Sequence, residues 1–202
     1  MRKFERVDAV AAALDMPNVD TDQIIPARFL WRARADGYGH LLFNDLRAQT
    51  TDFPLDQPAT KSAGVLVADQ NFGCGSSREH AVWALDDAGI RVVIAPSFGD
   101  IFYNNALKNG LLPIVLPAAR CAELRAALAR NPGARLVVDL AAQTVAGPVG
   151  VNDGQGEDRF EIDPFRKDLL LAGVDDITFT MGQTEAIAAF EDRFARDMPW
   201  LK

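Results

Sequence analysis

The sequence predicts an α/β fold with a parallel sheet. From Gly64 onward, short apolar runs alternate with helical stretches, the signature of βαβ units. The runs at 64–68, 91–95 and 111–116 are five or six residues long and almost free of polar side chains, as expected for strands buried on both faces. A glycine-rich turn, Asn71-Phe-Gly-Cys-Gly-Ser-Ser-Arg-Glu-His80, joins the first run to the first helix.

The elements follow in order. Residues 4–14 read as an opening strand, and Pro17–Pro26 as a turn-rich connection in which Asp20 and Asp22 suit Asx turns or a helix N-cap. A calcium loop there lacks its third acid and its glycine. Residues 27–63 are irregular, with a short helix around His40–Leu46, and are expected to be mobile without a partner. Then come strand 64–68, helix 78–88, strand 91–95, helix 99–109, strand 111–116, helix 119–130 and strand 135–140. Ser97 and Asp100 have capping-box spacing, and Lys108 with Gly110 closes that helix. Gln143–Pro148 reads as a strand and turn, and Asp153–Asp163 as a solvated acidic hairpin tip leading into a strand at Arg159–Ile162. A helix at Phe165–Leu171 stops at Gly173. A last helix spans Thr180–Phe194, with Ile187, Phe190 and Phe194 at helical spacing. No repeat or linker divides the 202 residues, so the expectation is one domain, 1–202, with an irregular N-terminal third.

Composition narrows the function. The net charge of −7 disfavours binding to nucleic acid or to anionic membranes. Two cysteines, Cys74 and Cys121, give neither a disulfide framework nor a zinc spacing, so no metal site is expected in this chain. No signal peptide is evident, and the apolar stretch Leu111–Ala119, broken by two prolines, is too short to span a bilayer. A soluble cytoplasmic protein is the simplest reading.

The glycine-rich turn carries the chemistry. Gly73 and Gly75 permit unusual backbone angles and close approach of a ligand. Ser76, Ser77 and Arg78 follow at an expected helix N-terminus, which attracts anions. A capping box of Ser76 and Glu79 explains those two residues by local physics alone. It does not explain a cation placed where the helix dipole disfavours it, and an anion held by Arg78 does. The third glycine of a dinucleotide fingerprint is missing, as are a Walker loop and a nucleophile elbow. A small polycarboxylate suits an arginine fork beside hydroxyls. Cys74 as nucleophile lacks an evident base, and His80 reads as packing or capping.

The same turn, Asn71 to Ala81, resembles the signature of the swivelling domain of the aconitase superfamily, most closely the small subunits of bacterial 3-isopropylmalate dehydratases. Other blocks agree in order: Asn18–Pro26, Asp52–Leu55, Ala95–Asn105, Lys108–Ile114, Phe165–Lys167, Gly173–Ile177 and Pro199–Leu201. The resemblance implies a swivelling β/β/α domain with a parallel sheet, flanking helices and a smaller second sheet. It implies interconversion of 2- and 3-isopropylmalate through 2-isopropylmaleate in leucine biosynthesis. A large subunit would carry a [4Fe–4S] cluster as Lewis acid, this chain having no three-cysteine set. Ser76 would be the base, with Ser77 and Arg78 on a substrate carboxylate and Asp22, Gly73 and Gly75 in support. Phe29 and Leu30 would meet the group that distinguishes substrates, with Arg28, Arg32 and Arg34 near enough to suit a further carboxylate instead. Open alternatives are a citraconate or maleate hydratase subunit, a homoaconitase subunit and a non-catalytic anion-binding module.

Overall fold

A computed structural model describes residues 1–147 and 157–201. The strands are β1 (Arg6–Leu14), β2 (Val65–Ala68), β3 (Val92–Ala95), β4 (Leu112–Val115), β5 (Arg135–Asp139), β6 (Thr144–Ala146) and β7 (Asp158–Arg159). The helices are α1 (Thr21–Ile24), α2 (Asn44–Gln49), α3 (His80–Asp87), α4 (Asp100–Asn109), α5 (Ala118–Arg130), α6 (Pro164–Ala172), α7 (Asp176–Met181) and α8 (Thr184–Asp197). The described strands form one seven-stranded sheet in the order β4-β3-β2-β1-β5-β6-β7. β1 pairs parallel to β2, with Ala11 opposite Val65, and antiparallel to β5, with Asp8 opposite Val137. The parallel half and the smaller antiparallel half are therefore joined through the opening strand.

Side-chain alternation explains the layers. Leu66, Ala68, Val93 and Ala95 face one core, shared with α3, α4 and the segment 38–63. Val65, Val67, Val92 and Ile94 face the other, shared with α5 and α6. Both faces of β2 and β3 are covered, which is why these strands read as unbroken apolar runs. Pro113 is tolerated because β4 is the edge strand.

Several expectations are corrected. The segment 27–63 is not a loose loop: Tyr38, Leu42, Phe43 and Phe53 are each at most 1% exposed. Its irregularity hid an apolar half built on short 3-10 turns, at Arg34–Asp36 and Gly39–Leu41, and on α2. The final helix is two helices, because α7 ends at Met181, with Gly182 as its C-cap, and α8 starts at Thr184. The strand expected at Arg159–Ile162 is the two-residue β7. Residues 153–156 of the acidic tip lie outside the described residues.

Arg125 of α5 ties this frame to the loops above it. Its side chain is 10% exposed, donates 2.9 Å to the Ala68 carbonyl ending β2, and pairs with Asp15 at 2.8 Å and Asp69 at 3.2 Å. Arg125→Met leaves the buried carbonyl without its partner. It is expected to cost about 1–3 kcal/mol in urea unfolding; an unchanged midpoint refutes the assignment.

Candidate active site

Three loops leave the C-terminal ends of β1, β2 and β3, where open α/β sheets bind ligands. They are laced together by backbone. Gly73 N–H donates to Val19 O at 2.7 Å, Thr21 N–H to Cys74 O at 3.0 Å, and Gly99 N–H to Phe72 O at 2.9 Å. Asn18 and Asn71 both adopt left-handed backbone, at φ 54° and 59°, and the Asn71 amide donates to Asn18 Oδ1 at 2.9 Å.

Gly73 is required twice over. Its φ is +72°, and a Cβ there would sit 2.2 Å from Cγ of Phe102, a core side chain. Gly73→Ala is therefore expected to cost about 3 kcal/mol or more, strain and overpacking together. Gly89→Ala, at φ +92° in open space, should cost about 1 kcal/mol through its backbone alone. Chemical denaturation of the two variants checks the contrast, and equal losses contradict it. Gly75, at φ +89°, has only ordinary contacts around its Cβ direction, so its backbone angle is what calls for glycine.

The capping box that the sequence allowed at Ser76 and Glu79 is not formed. α3 begins at His80, Glu79 is its N-cap residue, and no side chain caps it. The Glu79 carboxylate instead accepts from the Asn109 amide at 2.7 Å. Ser97 likewise fails to cap α4; its Oγ accepts from Asn71 N–H at 2.8 Å. Ser76 and Ser77 are thus left exposed just before the helix, and among the described residues their hydroxyls have no hydrogen-bond partner. Thr21 Oγ1 holds the Ser76 carbonyl at 3.1 Å, and the Asn105 amide reaches the Ser77 carbonyl at 3.5 Å. Thr21 and Gly99 were not singled out from sequence, whereas Asn105, read as lying on a helix surface or packing against a neighbouring loop, does reach the Ser77 loop. Only the i,i+4 pair Asn105 and Asn109 left a signal, as two amides on one helix face.

Asp22 is the joint of the site. It lies in the first turn of α1, whose capping box is made by Asp20 and Gln23: Asp20 Oδ1 accepts from Gln23 N–H at 2.8 Å, and Gln23 Oε1 from Asp20 N–H at 2.9 Å. One Asp22 oxygen accepts from Ala27 N–H at 3.2 Å and also pairs with the Arg78 guanidinium. The hydrogen bond from Arg78 is the main reason the Asp22 carboxyl is held below the usual carboxylate range, against a smaller opposing effect of burial. The pair therefore contributes stability above the ordinary carboxylate pKa, and that contribution is lost as pH falls through the lowered value. Arg78 is 18% exposed, and its Nη1 is engaged by the Asp22 carboxylate.

The turn Ala27–Phe29, tethered by Asp22, carries Phe29 and Leu30. Both are half-buried and lean on the core, while Trp31 is 81% exposed. Arg28 forms a fork with Asp45, one arm at 2.8 Å, and stacks over Phe29. Arg34 pairs with Asp87 at 2.6 Å. Two of the three arginines in this segment are thus engaged by carboxylates of the chain itself.

The other candidates resolve plainly. His80 packs against Tyr38 and Trp83, with ring centroids at 5.4 and 4.6 Å, and burial lowers its pKa. Burial, then Asp20, raises the Cys74 pKa, which disfavours the reactive thiolate. Cys121 is buried on α5, and its pKa is raised by burial to about 11. Among the described residues no group of three His, Cys, Asp or Glu side chains is placed to hold a metal ion. The described cysteines, Cys74 and Cys121, do not make the three-cysteine set of an iron–sulfur cluster. Concavities of about 520 and 500 Å³ lie at Asn131–Arg135 and at Pro96–Asn104, neither lined by Ser76 or Arg78. Within the described residues, no helix is long and apolar enough to cross a membrane.

Comparison with known proteins fits this geometry. An aconitase C-terminal domain model matches residues 1–119 and one described as LeuD_N matches 122–164. A model of the C-terminal domain of the 3-isopropylmalate dehydratase small subunit matches 176–202. The chain is 50% identical to the 3-isopropylmalate dehydratase small subunit of Paramagnetospirillum magneticum, with both chains fully covered. The chain belongs to the 3-isopropylmalate dehydratase small-subunit family. It is 46% identical to the family member of Leptospira interrogans, over 100% of this chain and 98% of that one. The crystal structure of 3-isopropylmalate dehydratase from Methanocaldococcus jannaschii superposes with a TM-score of 0.65 at 27% identity, covering 92% of this chain and 99% of the other. The mixed α/β sheet with flanking helices is the fold of this dehydratase family.

Proposed function

We propose that this chain is the small subunit of 3-isopropylmalate dehydratase, a hydro-lyase interconverting 2- and 3-isopropylmalate through 2-isopropylmaleate in leucine biosynthesis. In this reading the chain acts in the cytoplasm as one swivelling unit, paired with a large subunit. The observation that carries the assignment of the site is Arg78: a mostly buried guanidinium, beside two unpartnered hydroxyls, on a loop shaped by Gly73. A substrate carboxylate completes its hydrogen bonds as a fork.

Ser76, as its alkoxide, takes the proton from the carbon next to that carboxylate, and the C–H electron pair forms the C=C bond as the hydroxyl leaves the neighbouring carbon. The charge that develops on the deprotonated carbon delocalises into the carboxylate, where Arg78 and Ser77 stabilise it. A serine hydroxyl is a poor base in water, so the adjacent guanidinium and closure of the open face by the partner are needed to lower its cost. Asp22 orients Arg78 and, through Ala27, fixes the turn that carries Phe29 and Leu30. The [4Fe–4S] cluster is assigned to the large subunit, and no step is assigned to it here.

Reconstitution with the large subunit tests this. Turnover of 2-isopropylmalate should exceed that of citraconate, because Phe29 and Leu30 offer apolar surface to the larger isopropyl group, while Arg28 and Arg34, already paired, are not free for a third carboxylate. Discrimination should be modest, about 1–3 kcal/mol per methylene-sized difference. Strong preference for citraconate would reassign the chain to a related hydro-lyase.

A further inference from the structure

The C-terminal arm stands apart from the body. Every residue from Ile177 to Trp200 is exposed, although Ile187, Phe190 and Phe194 are spaced to cover a core. At 3.6 residues per turn these three fall on one side of α8, with Glu185, Asp192 and Arg196 opposite. An amphipathic helix with its apolar side in water lacks the packing that normally stabilises it. The root of the arm is firmly held. Phe179 meets Phe165 edge-on at 5.2 Å, Arg166 pairs with Asp176 at 2.7 Å, and Phe4 N–H donates to Leu170 O at 2.9 Å. This root lies at the start of β1, the opposite end of the strand from the Asp22 loop.

We propose that α7 and α8 form a docking arm for the large subunit, seating the Ile187–Phe190–Phe194 side in an apolar groove rimmed by basic side chains. The proposal rests on the two-subunit reading above. Two observations select this occupant. The eight large apolar side chains from Ile177 to Trp200 expose 38–75% of their surfaces. Counting a full aromatic side chain at about 200 Å², that is roughly 800 Å², the share one partner gives to a standard stable interface. Charge argues against a second copy: residues 176–202 hold five acidic and three basic side chains, within a chain of net charge −7, so pairing two arms sets like charge on like. The family model for the C-terminal domain matches this same stretch, 176–202. With the arm anchored at one end of β1 and the catalytic loops at the other, the chain would grip its partner independently of the site.

The test titrates the purified large subunit with three full-length small chains: wild type, a double variant carrying Phe190→Asp and Phe194→Asp, and Asp192→Asn on the polar side. Kd for the double variant should rise at least about 100-fold and that of Asp192→Asn less than about threefold. All three small chains alone should melt together, because the substituted side chains are exposed. Association indifferent to the double substitution overturns the docking arm and leaves the functional reading standing. So does a wild-type small chain that dimerises alone through these phenylalanines. A wild-type pair that assembles without turning over 2-isopropylmalate overturns the functional reading only. No association at all overturns both.

Discussion

Ser76→Ala in the reconstituted two-subunit enzyme is expected to lower kcat on 2-isopropylmalate by about 10²–10⁴-fold, the usual contribution of a positioned base. KM should change little, because Arg78 and Ser77 remain. The fold should not suffer: Thr21 holds the Ser76 carbonyl, not its hydroxyl, and the side chain is exposed with no partner among the described residues. Steady-state assay and gel filtration of the same preparation separate chemistry from assembly. A kcat within a few-fold of wild type, with the complex intact, removes Ser76 from the role of base.

Arg78→Lys is the second large effect. Lysine keeps the charge but loses the planar fork that can hold Asp22 and a carboxylate together. The loss of one charged hydrogen bond, about 1.5–3 kcal/mol, corresponds to a fall in kcat/KM of roughly 10–10²-fold, carried chiefly by KM. Arg78→Ala should fall further, by roughly 10³-fold, because Asp22 is then also left without its cation. If Arg78→Lys left KM unchanged, the substrate carboxylate would have to bind elsewhere. A drop in kcat alone would move Arg78 from substrate binding to stabilising charge only in the transition state.

Much of the frame was legible without coordinates. The runs at 64–68, 91–95 and 111–116 became β2, β3 and β4 to within a residue or two at their ends, because a strand covered on both faces must be apolar at every position. α4 was legible through Lys108 and Gly110, and Gly110 does close it at φ +85°. The region 27–63 was not legible. Its buried Tyr38, Phe43 and Phe53 sit in single turns too short to show a period, and a period is what sequence reading detects. The capping boxes at Ser76 and Ser97 were misread for a related reason. The motif states which partners are possible locally, and Glu79 and Ser97 instead found better-placed ones 30 and 26 residues away.

For this protein the sequence by itself determined the alternating core of the sheet, the family, and the residue types of the proposed site: two serines, an arginine and the glycine that shapes their loop. Each follows from local chemistry, from side-chain period, backbone freedom and charge, which need no knowledge of distant neighbours. The tertiary structure alone decided that Asp22 grips Arg78 across 56 positions, that Arg28 and Arg34 are taken by Asp45 and Asp87, and that the apolar side of α8 faces water. Those are contacts between segments far apart in the chain. Which carboxylate reaches which guanidinium depends on the path of the backbone, and no local propensity encodes it.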